Sequence, residues 1–248
     1  MNIDWSIKWE KFFKTMQSEY FRELLVDGLV NTIKVAVLGL IIGILVGTLI
    51  AIVKVAPKYK LPIRILDKFC TVYVALFRGT PMVVQLLLAY YVLLPMLGVK
   101  EVNSLNVGIV VFGLNSGAYV SEIMRGGLNS VDRGQMEAGR ALGLSYVKTM
   151  VSIVIPQALK NILPTLGNEF ITLIKETSVL SFITVYDLYT ALTTIGSKNY
   201  EKMVPYLVMA AIYIILVLLI TLLVKLLERF FARSEKNKTV KKVKEVKV

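Results

Sequence analysis

The sequence predicts an all-α membrane protein of five transmembrane helices, with the N terminus outside and the C terminus in the cytoplasm. Two observations predict the class and a third the orientation. Hydrophobic residues make up 56% of the 248 residues, and mean hydropathy is +0.66, too apolar for one soluble domain. Several apolar windows approach the ~20 residues that cross a ~30 Å hydrocarbon core as helix, and helices satisfy their own backbone groups in lipid. The cations collect at span ends and in the tail, which by the positive-inside rule marks the cytoplasmic side.

Residues 1–28 mix Lys8, Lys11 and Lys14 with Asp4, Glu10, Glu19, Glu23 and Asp27. They lack the basic start and short apolar core of a cleaved signal peptide. They read as an interfacial segment with Trp5, Trp9, Phe12 and Phe13 near the headgroups, the alternative being an unattached tail. The membrane-spanning body follows over residues 29–228. Its first span, about 29–53, carries Gly39, Gly43 and Gly47 at every fourth position, spacing that lets another helix approach closely. Residues 54–68 hold Lys54, Lys58, Lys60, Arg64 and Lys68 and are therefore cytoplasmic.

The second span, within about 70–97, is interrupted by the string FRGTP at residues 77–81. Pro81 lacks a donor and Gly79 is flexible, so the break should face protein or water. After a short outer turn the third span, about 105–124, returns inward. A polar, glycine-punctuated cytoplasmic loop over about 130–160 then precedes the fourth span, about 163–185. Residues 186–203 read as an outer linker, and the fifth span, about 204–227, comes back in. The basic tail, 229–248, holds eight Lys and Arg residues and reads as solvated or bound to the lipid surface.

Composition also excludes classes. The net charge of +12 is spent on topology and calls for no nucleic acid. There is no histidine, and Cys70 is the single cysteine, which removes the commonest metal ligand and any intrachain disulfide. No phosphate-binding loop of the form GxxxxGK[ST] occurs. Neither catalytic nor metal-binding residues stand out, and nothing in the chain calls for a cofactor.

The loop at residues 135–156, QMEAGRALGLSYVKTMVSIVIP, is the most specific string in the chain. A short helix over about 134–142 would present Glu137 and Arg140 on one face, and Gly143 would end it. The acidic residue and small pair Glu137, Ala138 and Gly139, then Gly143, Ile153 and Pro156, resemble the EAA loop of ABC importer permeases. The strings FRGTPMVVQLLLAYY from Phe77, AYVSEIMRGGLNSVDRGQMEAGRALGLS from Ala118 and LIKETSVLSFI from Leu173 resemble the polar amino acid uptake branch of that family. Together they span about residues 27–230. The departures are small: Gly139 replaces a second alanine, Ile155 a leucine, and Glu176 a more usual aspartate.

The resemblance implies a type I ABC importer permease in a bacterial plasma membrane. It would work with a second, identical or related permease, ABC ATPase subunits that bind ATP and Mg, and an extracytoplasmic binding protein that delivers the polar amino acid and does most of the selecting. Its ATPase-coupling residues would be Glu137, Ala138, Gly139, Gly143 and Pro156, and the chain itself would not be an enzyme. Charged groups inside the spans are costly and normally face a cavity or partner. Arg78, Asn115, Tyr119, Glu122, Lys175 and Glu176 are thus the candidate substrate path: Glu122 or Glu176 for the ammonium of an amino acid, Arg78 or Lys175 for its carboxylate. The alternative role for these charges is pairing between helices. Ion- or proton-coupled secondary transport and a membrane scaffold are the competing functions.

Overall fold

The structure is a computed structural model that describes residues 4–99, 101–198 and 200–246, with side chains described as far as residue 229. Among the described residues there is no strand. The helices are α1 Trp5–Met16, α2 Glu19–Val55, α3 Leu61–Gly79, α4 Met82–Leu88, α5 Leu94–Met96, α6 Ser104–Asn129, α7 Arg133–Ala141, α8 Tyr146–Thr149, α9 Ile155–Glu176, α10 Leu188–Lys198 and α11 Met203–Val246. π-helical turns at Ala89–Leu93 and Met150–Val154 join α4 to α5 and α8 to α9, and a 3₁₀ segment, Thr177–Ile183, extends α9.

By length and composition α2, α6 and Met203–Arg229 can each cross a membrane unaided. Two bent pairs raise the number to five: Leu61–Gly79 with Met82–Met96, bent by 109°, and Tyr146–Ile183 with Leu188–Lys198, bent by 57°. The five-span reading therefore holds when each bent pair counts as one span. Burial separates their positions. In its most apolar window α6 is 67% buried, against 39% for α2 and 6% for α11, so α6 is the axle and α11 lies at the rim.

Glycine sets how closely the axle is held. Along α2, Gly39, Gly43 and Gly47 face Phe112, Ser116 and Val120 of α6, and a Cβ at Gly43 would stand 2.6 Å from the Ser116 Oγ. Gly113 and Gly117 of α6 return the contact against Ile42 and Val46. The matched order makes α2 and α6 parallel, and the close approach replaces a hydrophobic drive that lipid cannot supply. Helix α9 runs the other way along α6: Ser130 meets Asn161 at 2.7 Å, Ser116 meets Glu169 at 2.9 Å, and Gly108 faces Leu180.

Two expectations change. Residues 186–203 are no simple linker, because α10 is buried through Leu188, Ala191, Leu192 and Ile195. These fall at i, i+3, i+4 and i+7, one helical stripe. Together with Phe12 of α1 and Val204 of α11 they build a second core. The N-terminal segment is likewise held: α1 starts at an Asp4 cap, buries Phe12 and Thr15, and ties Lys8 to Glu201. Trp5, Ile7, Trp9 and Phe13 stay exposed, as an interfacial helix requires. At the other end α11 continues as helix to Val246, so the first part of the basic tail prolongs the last span. Residues 1–3 and 247–248 of the two terminal segments lie outside the described residues.

Candidate functional site

The loop after α6 folds into a short lever. Asp132 caps α7 by accepting from the Gly134 N–H. Three residues after Arg140 the chain turns at Gly143, with φ +79°. The Gly143 N–H donates to the Arg140 carbonyl at 3.0 Å and the Leu144 N–H to that of Gly139 at 3.1 Å. That pair of bonds is the Schellman helix stop, whose left-handed position favours glycine. The predicted helix and its stop are therefore both present. Glu137 and Ala138 are exposed, while Arg140 donates to the Leu144 carbonyl at 2.8 Å and makes no ion pair with Glu137.

Gly139 is the buried residue of α7, seated on Thr149 of α8. A Cβ there would lie 2.4 Å from the Thr149 Cγ2, so the departure from alanine at this position is one the local packing requires. Pro156 occupies the first turn of α9 just after the π turn, where a missing N–H costs least. The Gln157 amide reaches Gln135 of α7 at 3.2 Å. Asn161 bonds Ser130 at the end of α6. The lever is thus braced against α9, which the Asn161 bond ties to the end of α6. Its outer surface also carries Leu142, 82% exposed, with Val147 and Val151. Those apolar knobs were overlooked in the sequence, where their only signal is a leucine beside the helix-stop glycine.

The six path candidates fall into separate groups. Asn115 belongs to the broken second span. Pro81 has no N–H to offer the Phe77 carbonyl four residues back, and the Gln85 side chain supplies that bond at 2.7 Å. Gln85 also donates to the Thr80 carbonyl at 3.0 Å, and its own oxygen accepts from Asn115 at 2.9 Å. Both amides are buried.

Arg78, Tyr119 and Glu122 lie close together. The Arg78 guanidinium sits 5.3 Å from the Tyr119 ring centre, a cation–π distance. Glu122 accepts from Arg125 at 2.6 Å and has the Lys54 ammonium at 3.5 Å. Arg78 and Glu122 line one open pocket of about 470 Å³ between α2, α3 and α6.

Lys175 and Glu176 form a third group at the end of α9. Neither makes an ion pair or a side-chain hydrogen bond with another described residue. Because α6 and α9 are antiparallel, Glu122 and Glu176 lie on opposite sides of the Ser116–Glu169 bond. Six residues one way and seven the other, at ~1.5 Å each, put them about 20 Å apart along the bundle. One amino acid cannot touch both. Between them sits Glu169, 9% exposed and hydrogen-bonded to Ser116 at 2.9 Å. Sequence reasoning passed over it, although it stands two helical turns before Glu176 on the same face.

Comparison with known proteins gives a consistent result. Residues 39–233 match the family described as binding-protein-dependent transport system inner membrane component. The chain is 38% identical over 213 residues to the putative glutamine transport system permease protein GlnP of Rickettsia prowazekii, covering 85% of this chain and 95% of that one. It is 38% identical over 205 residues to the arginine transport system permease protein ArtQ of Bacillus subtilis, covering 83% and 91%. Among solved structures, an amino acid ABC transporter crystallised with histidines superposes with a TM-score of 0.79 at 37% identity, covering 92% of this chain and 99% of that one.

Proposed function

The chain belongs to the binding-protein-dependent transport system inner membrane components, as an amino acid ABC transporter permease, and from that premise we propose how it divides the work of import. The membrane bundle forms the passage for a polar amino acid. A separate ATPase pair binds ATP and Mg and grips α7, and an extracytoplasmic binding protein supplies the cargo to a pair of permeases. Ion-coupled secondary transport has no support from any relative.

The observation that carries this reading is α7: a capped, glycine-stopped helix whose Glu137, Ala138 and Leu142 are exposed while Gly139 locks it to α8. Force applied there passes through Gln157 to α9 and on through the Asn161 bond of α9 to α6, the two helices that carry every path candidate but Arg78. The cations of residues 54–68 and the α7 loop support a cytoplasmic placement for that end, with the N terminus outside.

Within the bundle the unpaired charges, Lys175 and Glu176, are the substrate contacts. Asn115 braces the span break, and Arg78, Tyr119 and Glu122 form the pocket at the inner end. Reconstitution of the permease with its ATPase and binding protein in vesicles tests the reading across an amino acid panel. Uptake should need both partners and ATP. Glu176→Gln should weaken apparent affinity for the transported amino acid by about tenfold, the scale of one lost charged hydrogen bond. Uptake without the ATPase, or unchanged affinity in Glu176→Gln, would overturn the corresponding part.

A further inference from the structure

The pocket between α2, α3 and α6 has a charge pattern that an amino acid does not fit. Its lining contains Lys54, Lys58, Arg78 and Arg125 but only Asp67 and Glu122 as carboxylates. Both carboxylates already have cations. Asp67 lies 2.6 Å from Lys58, and Glu122 lies 2.6 Å from Arg125 and 3.5 Å from Lys54. Asp67 keeps one oxygen that accepts no hydrogen bond from a described residue, but Glu122 is shared between two cations and the pocket keeps an excess of two positive charges. Arg78 is exposed and faces only the Tyr119 ring. The pocket therefore selects an oxyanion without a compensating cation.

Its place in the bundle says where that oxyanion comes from. The pocket reaches from Arg78, level with Tyr119 of α6, to Lys58 in the loop that follows α2. That loop and the start of α3 add Lys60, Arg64 and Lys68, all exposed. Clustered cations beside the end of a span attract an anionic lipid surface, each contributing ~1 kcal/mol. Tyr119, with an apolar ring and a polar tip, suits the headgroup boundary. We propose that this pocket binds the phosphate of an anionic phospholipid of the inner leaflet, such as phosphatidylglycerol, with Arg78 and Lys54, which shares Glu122 with Arg125, as its principal contacts. Phosphatidylethanolamine carries the same phosphate but adds an ammonium to a pocket that already holds two more cations than carboxylates, so it is discriminated against. The assignment to the inner leaflet rests on the orientation given under the proposed function; the headgroup site does not.

Native mass spectrometry of the purified permease–ATPase complex tests the site without any transport assay. The complex is titrated with phosphatidylglycerol or phosphatidylethanolamine of identical acyl chains, and the retained lipid is counted. Phosphatidylglycerol should be retained preferentially. Arg78→Gln and Lys54→Gln should each weaken retention about fivefold, while Lys225→Gln on α11 should not. Equal retention of the two lipids, or full phosphatidylglycerol retention in both pocket variants, overturns the site. So does displacement of the lipid by millimolar transported amino acid, which would give the pocket to the transport path. Labelling of Lys58→Cys from outside intact cells, in a Cys70→Ser background, would sink the orientation and leave the site standing.

Discussion

At Pro81 the backbone lacks the N–H that would have closed a helical turn onto the Phe77 carbonyl, and the buried Gln85 amide fills the gap at 2.7 Å. Gln85 is then fixed in turn by Asn115 of α6 at 2.9 Å. A leucine at position 85 would keep the volume but leave the Phe77 carbonyl and the Asn115 amide only their long 3.5 Å contact with each other, and the Thr80 carbonyl no amide donor. Each buried group so orphaned costs about 1–3 kcal/mol. Gln85→Leu should therefore lower unfolding stability in detergent by ~2 kcal/mol or more, read by denaturant or thermal unfolding of the purified chain. A change below ~0.5 kcal/mol would mean that water reaches the break. Sequence alone made the FRGTP break legible, since Gly79 and Pro81 announce it. It did not make Gln85 legible, because an amide four residues past a proline has no special signature until the 109° bend brings it back over Phe77. Asn115 was legible as a polar residue in an apolar span, but its partner was not.

Among the elements, the long apolar helices were readable from composition, and the glycine spacing of α2 announced a close neighbour without identifying it as α6. Helix α10 was misread because its threonines, tyrosine and glycine resemble a linker, while the four-residue stripe from Leu188 to Ile195 is too short to stand out. Helix α1 was left open between an interfacial segment and a loose tail, and burial of Phe12 shows it packed on α10 and α11. Its docking has a polar component as well. The Lys8 hydrogen bond and charge, aided by the Met203 N–H, hold the Glu201 carboxyl below the usual glutamate value. A carboxyl whose pKa is depressed by folding stabilises the docked form above its unfolded value, near pH 4.3. That contribution is lost as pH falls through the lower, folded value. The fluorescence of Trp5 and Trp9 should accordingly report loosening of α1 as the pH is taken from about 5 to about 3, and Lys8→Met should abolish most of that dependence. An identical acid transition in Lys8→Met would assign it to other carboxylates.

For the whole molecule, stability and coupling use different surfaces, and this separation is open to test. The bundle is held by α6 against α2 and α9, whereas α7 touches the rest chiefly through Gly139 on Thr149 and Gln135 on Gln157. Leu142 projects from the end of α7 with 82% of its surface exposed and packs on nothing that the fold needs. An exposed leucine on a soluble face is ordinary, but here it stands with Val147 and Val151 on the segment whose motif resembles the ATPase grip of ABC importer permeases. A buried anchor at the centre of an interface typically contributes 2 kcal/mol or more, and a carboxylate in an apolar socket adds a desolvation cost. Leu142→Asp should therefore leave the unfolding curve of the isolated permease within about 0.5 kcal/mol of the parent. The same substitution should weaken ATPase binding by at least ~30-fold, seen as loss of the ATPase on co-purification and loss of ATP-driven uptake. Retained co-purification would move the grip onto Glu137 and the charged side of α7, while a destabilised permease would show that Leu142 is packed inward. Only a folded chain that has lost its ATPase fits a lever built to be held from outside.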